Sequence, residues 1–112
     1  MALVKDLLLI DFGDPYPGEP AFHRPSLVVG PPDYFGASFP FTLVIPLTTT
    51  DRKLSLHIEV EANASNGLSS VSYVQCEQIR SVNKDRVIKK LGILDTQAMA
   101  HVDLVIKMLL DH

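Results

Sequence analysis

Arg24 is the residue whose type and position first suggest chemistry. It stands in the stretch "PAFHRPSLVV" (residues 20–29), directly before Pro25 and an apolar run that must enter a core. A strand can begin after any polar loop, so folding does not require a guanidinium there. An arginine stays charged at working pH and donates two parallel hydrogen bonds to an anion such as a phosphate. The sequence therefore raises the question whether Arg24 points at a substrate or at solvent.

Glu19 and His23 are the titratable groups that precede Arg24 in the same loop. Histidine ionises near working pH, so His23 is suited to proton transfer, and Glu19 supplies a carboxylate for the same purpose. The alternative is that Glu19 pairs with a nearby cation and His23 only lines a groove. Both interpretations stay open from the sequence.

Other catalytic patterns are missing from the sequence. His23, His57, His101 and His112 have no i, i+4 spacing typical of zinc sites, and there is one cysteine. We therefore expect no metal and no cofactor. Cys76, inside the alternating run "VSYVQCEQI", is expected to be a small core residue.

Length and composition favour one compact domain over residues 1–112. The chain has 112 residues, 46% of them hydrophobic, with a net charge of −3. That size suits one core, and that charge gives no general attraction to nucleic acid, so polyanion binding requires a local basic patch. One cysteine fits a reducing cytoplasm, and no apolar run is long enough to span a membrane. We expect a cytoplasmic protein without membrane contact.

Strand patterns separated by turn residues must position the candidate residues. Pro25 lacks a backbone donor and favours an extended Arg24, which places Arg24 at a junction between loop and strand. Asn66-Gly67 is typical of a turn, and Pro46 is expected at an edge or bulge. The predicted strands are residues 7–12, 26–30, 41–47, 54–62, 69–82 (a long strand, expected to bend) and 86–94.

The last segment changes period and predicts an amphipathic helix over residues 95–110. Asp95 or Thr96 is the expected N-cap. The apolar stripe that the helix presents to the core is Ala98, Val102, Val105, Ile106 and Leu109. A mostly β fold closed by one C-terminal helix, in a small and strongly bent sheet or barrel, is the predicted architecture.

Four motifs in order resemble the MazF/PemK family of bacterial toxin–antitoxin toxins. They are "LLLIDFGDPYPGEPAFHRPSLVV", "LVIPLTTT", "CEQIRSVNKDRV" and "LDTQAMAHVDLVIKMLL". The resemblance covers roughly residues 4 to 110. It implies a small SH3-like barrel, a homodimer, and a metal-independent endoribonuclease acting on single-stranded mRNA. One departure is Lys5, which stands where the family usually has a glycine before its first strand.

The resemblance also assigns catalytic roles to Arg24 and Thr48. In the family pattern, the arginine of the Arg-Pro pair and the first threonine after the third apolar strand act together in cleavage. RNA is cut without metal when its own 2′-hydroxyl attacks the adjacent phosphorus, which leaves a 2′,3′-cyclic phosphate and a 5′-hydroxyl. Glu19 and His23 are the possible acid and base in this scheme.

Base and phosphate recognition is expected from the surrounding groove. Single-stranded RNA is read by stacking on aromatic side chains and by hydrogen bonds to base edges. The predicted RNA-binding residues are Phe12, Thr49, Gln78, Arg52 and Lys53. The competing interpretation is that Phe12 is a core residue, that Gln78 is an ordinary strand residue, and that the two loop cations are merely solvated.

The resemblance implies two partners besides RNA: a second copy of the chain, and an antitoxin whose disordered, acidic and apolar C-terminal segment folds onto the site. A second class of function stays open, because CcdB-like toxins use the same barrel to bind and poison DNA gyrase without cutting anything. A family member that binds RNA or antitoxin without cleaving is a third alternative.

Overall fold

The structure is a computed structural model that describes residues 5–14, 17, 22–30 and 39–111. Glu19, one of the predicted proton-transfer groups, lies outside the described residues. The strands are β1 (Asp6–Asp11), β2 (His23–Val28), β3 (Phe41–Thr48), β4 (His57–Val60), β5 (Ser72–Gln75), β6 (Arg80–Asn83) and β7 (Val87–Ile93), followed by the helix α1 (Thr96–Leu110). The predicted fold, mostly β with a C-terminal helix, is confirmed.

The seven strands form one antiparallel sheet with β3 near its middle. The strand order is β4-β5-β3-β2-β1-β7, and β6 also pairs with β3. No pairing among the described residues joins β7 back to β6 or β4, so the predicted barrel describes the shape only loosely.

The predicted long strand over residues 69–82 is divided by a 3-10 turn, Cys76–Gln78, into β5 and β6. The division lets this segment pair with both halves of β3, with Val44 opposite Arg80 and Leu47 opposite Val74. Pro46 lies between those two paired positions, where the neighbouring strand changes. The proline therefore sits at an irregularity of an interior strand, as expected for a residue without a backbone donor.

Two hydrophobic clusters occupy opposite faces of the strands β1, β2 and β3, because side chains alternate along each strand. One face, the Leu7 face, holds Leu7, Leu27, Ile45 and Leu47 and packs with residues of α1. The other, the Ile10 face, holds Leu8, Ile10, Val28 and Val44, with Val82 of β6. A residue's register therefore decides which face its side chain joins.

The helix α1 begins at the predicted cap, since the Asp95 side chain accepts a hydrogen bond of 2.8 Å from the Ala98 amide. Its buried residues are Met99, Val102 and Val105. The prediction that Leu109 belongs to the buried stripe is wrong, because this side chain is 39% exposed. Residues 107–111 are all exposed, so the last turn extends beyond the part of the core that the helix covers.

His57 also departs from its predicted environment. In the strand predicted over residues 54–62, alternation places His57 on one face with the polar residues Ser55, Glu59 and Glu61. Its side chain is nevertheless only 3% exposed. Its Nε2 atom lies 2.9 Å from Oε2 of Glu77, which belongs to the 3-10 turn. The turn covers the ring and supplies a partner, which local alternation does not reveal.

Two methionines on α1 allow a matched test of this packing. Met99 is 6% exposed and Met108 is 68% exposed. We expect Met99→Ala to lower the free energy of unfolding by about 2–5 kcal/mol, because it leaves a cavity in the core. Met108→Ala should cost less than about 0.5 kcal/mol. Urea denaturation at one protein concentration measures both, and equal losses would contradict the observed orientation of α1.

Lys5 has a left-handed backbone conformation, with φ of 81°, which glycine adopts more readily than lysine. Its amide donates to the Val28 carbonyl (3.1 Å) and its carbonyl accepts from the Leu94 amide (2.9 Å), so the tight turn is kept with lysine in place of glycine. A side chain in this left-handed region costs about 1–2 kcal/mol.

Lys5→Gly is therefore expected to stabilise the fold by about 0.5–1 kcal/mol, after allowing for the extra freedom of glycine in the unfolded chain. Both Lys5→Gly and Lys5→Ala lose the exposed hydrogen bond from Lys5 Nζ to Thr96 Oγ1. Lys5→Ala keeps the backbone strain, so it should bring no gain. A thermal melt in which the two variants behave alike would show that the backbone at Lys5 is not strained.

Candidate active site

Arg24 and Thr48 lie at the end of the pairing between β2 and β3. The last pair of that ladder is Ser26 with Pro46. Arg24 is two residues before Ser26 and Thr48 is two residues after Pro46, so both occupy the next equivalent positions on the same face. Directly opposite residues in such ladders have Cβ atoms about 5 Å apart. The strand register therefore brings the two predicted catalytic residues to one place on the sheet.

The pairing of Arg24 with strand β1 places its side chain on the Ile10 face. Arg24 is paired with Ile10 on β1, and paired residues project to the same side. Arg24 is partly buried there, at the rim of the apolar cluster on the Ile10 face. A guanidinium held beside apolar side chains keeps its fork orientation and is less surrounded by competing water.

Thr48 is oriented by the turn that follows β3. Its side chain is nearly buried, with 8% exposure, and Oγ1 accepts a hydrogen bond of 3.2 Å from the Thr50 amide. A hydroxyl has one donor in addition to its acceptor positions. The Thr50 amide occupies an acceptor position of Oγ1. The hydroxyl proton of Thr48 is therefore the part of the group that can be donated to a substrate.

Phe12 borders the site on the β1 side. It follows Ile10 by two residues and packs against the cluster on the Ile10 face. Its amide donates to the Phe22 carbonyl (2.8 Å). Phe12 also lines an open groove of about 380 Å³ with Phe41, Arg80, Ser81, Val82, Asn83 and Arg86. This groove combines two aromatic rings with two guanidinium groups.

Gln78 borders the site on the β6 side, where Arg80 holds it. Arg80 lies opposite Val44, so it belongs to the Ile10 face. Its Nη2 atom donates to Oε1 of Gln78 (2.9 Å), and its Nε atom donates to the backbone carbonyl of the same residue (3.2 Å). The fold thus gathers Phe12, Arg24, Thr48 and Gln78, four predicted site residues, on one face.

His23 is placed differently. It is paired with Asp11 on β1, and its Nε2 atom lies 4.0 Å from Oδ2 of that residue. Because neighbouring residues of a strand alternate, the ring lies on the face opposite to the Arg24 side chain. The structure therefore does not bring His23 together with Arg24 and Thr48.

The sequence matches one protein family along almost its whole length. The family is described as "PemK-like, MazF-like toxin of type II toxin-antitoxin system", and its model matches residues 4–110. The chain belongs to this family. The match does not favour the gyrase-poisoning alternative, which rested on a different toxin family.

Solved structures of MazF-like proteins share the fold of this family member. MazF (Form-I) from Deinococcus radiodurans is 22% identical with a TM-score of 0.83, covering 99% of this chain and 97% of that one. An endoribonuclease in complex with its cognate antitoxin, from a mycobacterial species, is 19% identical with a TM-score of 0.77, covering 98% and 95%. MazE-MazF (Form-II) from Deinococcus radiodurans is 22% identical with a TM-score of 0.75, covering 97% and 94%. At these sequence identities, the similarity to the solved structures is evidence for a shared fold alone.

The loop after Thr48 carries the remaining predicted RNA-binding residues of this MazF-like chain. Thr49, Arg52 and Lys53 are all exposed. Lys53 Nζ lies 3.1 Å from Oδ2 of Asp51, and this hydrogen bond raises the pKa of Lys53. The loop thus extends from Thr48 into solvent, and one of its two cations, Lys53, is paired to a carboxylate.

The titratable groups elsewhere in this MazF-like chain offer no competing centre in the described ranges. Residues 5–14, 17, 22–30 and 39–111 contain no cluster of three or more metal-binding side chains. Burial raises the pKa of Cys76 to about 11, which makes this thiol a poor nucleophile. No helix in the described part of the chain has the length and apolar character needed to cross a bilayer.

Sequence reasoning missed Arg80, Arg86 and Phe22. Arg86 Nη1 donates to the Asp11 carbonyl (3.2 Å) and thereby ties the end of β1 to the groove. Phe22 is 62% exposed and has φ of 59°, directly before His23. The two arginines lie in the motif "CEQIRSVNKDRV", and Arg80 follows Gln78 at the two-residue interval typical of one strand face. Phe22 carries no comparable local signal.

Proposed function

We propose that this MazF-like toxin is a sequence-specific endoribonuclease that cuts single-stranded mRNA without a metal ion and so inhibits translation and growth. The observation that supports it best is the register of β2 and β3, which brings Arg24 and Thr48 to equivalent positions on one face. Both are hydrogen-bond donors, which suits them to hold a phosphate of an RNA strand laid across the strand ends.

The proposed reaction uses the RNA's own 2′-hydroxyl as the nucleophile. The 2′ oxygen forms a bond to the adjacent phosphorus while the bond from phosphorus to the 5′ oxygen breaks. The 2′ oxygen loses its proton and the departing 5′ oxygen gains one, which gives a 2′,3′-cyclic phosphate and a 5′-hydroxyl. Arg24 donates two parallel hydrogen bonds to the phosphate oxygens, and Thr48 donates a third.

The guanidinium of arginine keeps its proton at working pH, so Arg24 has no free site to accept a proton as a base. The role proposed for Arg24 is therefore electrostatic. Glu19 and His23 stay the predicted groups for proton transfer. Because His23 lies on the opposite strand face, we expect Glu19→Gln to slow cleavage more than His23→Gln. The reverse order in the same RNA assay would assign the proton transfer to His23.

The decisive experiment incubates purified, antitoxin-free protein with a long mixed-sequence RNA in EDTA, beside Thr48→Ala, and maps the new ends. Discrete cuts bearing 5′-hydroxyls, lost in the variant, are expected and would reveal the recognised sequence. Intact RNA from well-folded protein would overturn the proposal.

We propose the same site for antitoxin binding. The groove next to it is cationic and aromatic, with Arg80, Arg86, Phe12 and Phe41, which suits an acidic and apolar peptide segment. A mycobacterial neighbour in fold was crystallised with its cognate antitoxin. A cognate antitoxin is expected to block RNA cleavage, and binding that leaves cleavage intact would contradict a shared site.

A homodimer is proposed as the active form. Exposed apolar side chains such as Leu104 on α1 and Ile93 on β7 support it, because a soluble chain tends to cover such surface. Sedimentation at micromolar concentration is expected to show twice the chain mass. A single 12.4 kDa species would contradict the proposal.

A further inference from the structure

Tyr73 on β5 lies next to Thr48, on the side of β3 opposite to the strand that carries Arg24. Thr48 is paired with Tyr73, and Tyr73 is paired in turn with Glu59 on β4. Directly opposite residues of neighbouring strands project to the same face of a sheet. The row that contains the two predicted catalytic residues therefore continues through a tyrosine to a glutamate.

The side chains of Tyr73 and Glu59 are joined by a hydrogen bond, in which the hydroxyl donates to Oε1 over 3.4 Å. Tyr73 is partly buried and Glu59 is exposed. Desolvation, together with the negative charges of Asp51 and Glu59, raises the pKa of Tyr73, so its hydroxyl keeps its proton at working pH. A carboxylate has acceptor positions on both oxygens, so this bond leaves Glu59 with capacity to accept from a ligand.

The spacing of the row suits the parts of one nucleotide. Neighbouring strands of a sheet lie about 4.8 Å apart, so Tyr73 begins roughly one strand spacing from Thr48. Glu59 lies roughly two strand spacings, or about 10 Å, from Thr48. A nucleotide whose phosphate contacts Thr48 can thus lay its base against the tyrosine ring and point the edge of that base at the carboxylate.

We propose that Tyr73 and Glu59 read the base next to the cleaved phosphate: Tyr73 stacks against it, and Glu59 selects a base that carries an amino group. Among the pyrimidines, the site therefore prefers cytosine to uracil. This inference rests on the proposed ribonuclease function. It goes further by naming a stacking residue, a specificity-determining residue and the class of base that they select.

The two side chains contribute differently to recognition. Aromatic rings bind single-stranded RNA by stacking, which tolerates every base. A carboxylate only accepts hydrogen bonds, so Glu59 discriminates between base edges. Cytosine offers the N4 amino donor at the place where uracil, like thymine, offers the O4 carbonyl oxygen. The amino group donates to Glu59, whereas a carbonyl oxygen at the same place is repelled by the carboxylate.

The charge of Glu59 also decides which part of a nucleotide can lie beside it. A carboxylate repels phosphate groups, so the RNA backbone is kept at the Thr48 end of the row. Asp51 is close enough to act electrostatically on Tyr73 and adds to this repulsion. The base is the uncharged part of the nucleotide, and it is the part that this end of the row accommodates.

The test measures binding of short 2′-O-methyl oligo(C) and oligo(U), which cannot be cut, by fluorescence anisotropy. Wild type should bind oligo(C) on the order of tenfold more tightly than oligo(U). Glu59→Gln should remove most of this preference, because a carboxamide donates to uracil as well as accepting from cytosine. Tyr73→Phe keeps the ring but releases the carboxylate, so it should reduce the preference and retain most of the affinity.

Tyr73→Leu removes the stacking surface and keeps an apolar side chain on the strand. It should weaken binding of both oligonucleotides on the order of tenfold, with an unchanged salt dependence because no phosphate contact is lost. Phe39→Leu is the matched control, since Phe39 precedes β3 and so lies beyond the end of the strand that is distant from Thr48. This control should bind like wild type.

The inference would be overturned by equal binding of oligo(C) and oligo(U) to wild type. A folded Glu59→Gln variant that keeps the full preference would also overturn it, as would a folded Tyr73→Leu variant that binds as tightly as wild type. Thermal melts identify a variant that has not folded. If Tyr73→Leu does not fold, Glu59→Gln decides, because Glu59 is exposed and its replacement leaves the core intact.

The uncleavable oligonucleotides separate this inference from the proposed cleavage activity. If wild type cuts no RNA but prefers oligo(C) through Glu59, the proposed cleavage fails and the inference stands. If wild type cuts RNA but binds the two oligonucleotides equally, the inference fails and the cleavage stands.

Discussion

Arg24→Ala is expected to lower the rate of RNA cleavage by about 10² to 10³ while the protein stays folded. A preorganised donor aimed at developing charge is commonly worth about 3–4 kcal/mol of transition-state stabilisation. Arg24 lies on a strand paired to both neighbours through the residues that follow it, so the backbone holds the guanidinium in place. Single-turnover cleavage of one mapped RNA site, beside a thermal melt, measures both effects.

Matched variants separate this role from general charge and from folding. Arg24→Lys keeps the charge but loses the two-pronged geometry, so it should recover only part of the rate. Lys107→Ala removes one positive charge from an exposed helix position and should leave the rate unchanged. At the second donor, Thr48→Val should lose a similar factor and Thr48→Ser should retain most of the rate. A folded Arg24→Ala variant that cuts within a few-fold of wild type would refute the assignment.

Local signals predicted most of the elements. The N-cap at Asp95 and the turn at Asn66-Gly67 depend on a few adjacent residues, and both are present. The Asn66 side chain accepts from the Leu68 amide and donates to the Glu61 carbonyl, so the turn carries its own hydrogen bonds. Such features need no knowledge of distant segments.

The misplaced residues are those whose environment depends on distant segments. Leu109 fits the periodicity of α1, yet its burial depends on how far the underlying core extends. The ring of His57 is covered by a turn twenty residues further along the chain. The break at Cys76–Gln78 follows from the need to pair with both halves of β3, which no pattern within residues 69–82 specifies.

The candidate site also combines features that are readable from the sequence with features that depend on distant segments. The types of its residues were readable from the sequence, and the resemblance to a family selected Arg24 and Thr48. Their proximity, however, results from the register of β2 on β3, which joins residues more than twenty positions apart. The roles of Arg80 and Arg86 depend on contacts with Gln78 and with the end of β1, so they emerge only from the folded chain.

Gly67→Ala should destabilise the fold strongly, although Gly67 lies outside the candidate site. Gly67 has φ of 69°, and a Cβ atom there would lie 2.1 Å from the Leu91 carbonyl oxygen. The left-handed backbone costs about 1–2 kcal/mol for alanine, and forcing an extra methyl group against β7 costs about 1–3 kcal/mol more. The neighbour is backbone and cannot rotate away. We therefore expect urea denaturation to show a loss of about 2–5 kcal/mol.

Gly13→Ala is the matched control, because Gly13 has φ of 79° but no close neighbour for a Cβ atom among the described residues. Within that part of the chain, a Cβ atom there would meet only Nη1 of Arg86, at 3.5 Å, which is an ordinary contact with a flexible side chain. This variant should lose only the backbone contribution of about 1–2 kcal/mol. The difference between the two variants then measures how tightly the turn at Asn66-Gly67 presses on β7. Equal losses would show that the turn moves away from β7 at little cost. The hydrogen bond from the Ile93 amide to the Ser65 carbonyl, which joins β7 to this turn, would then contribute little to stability.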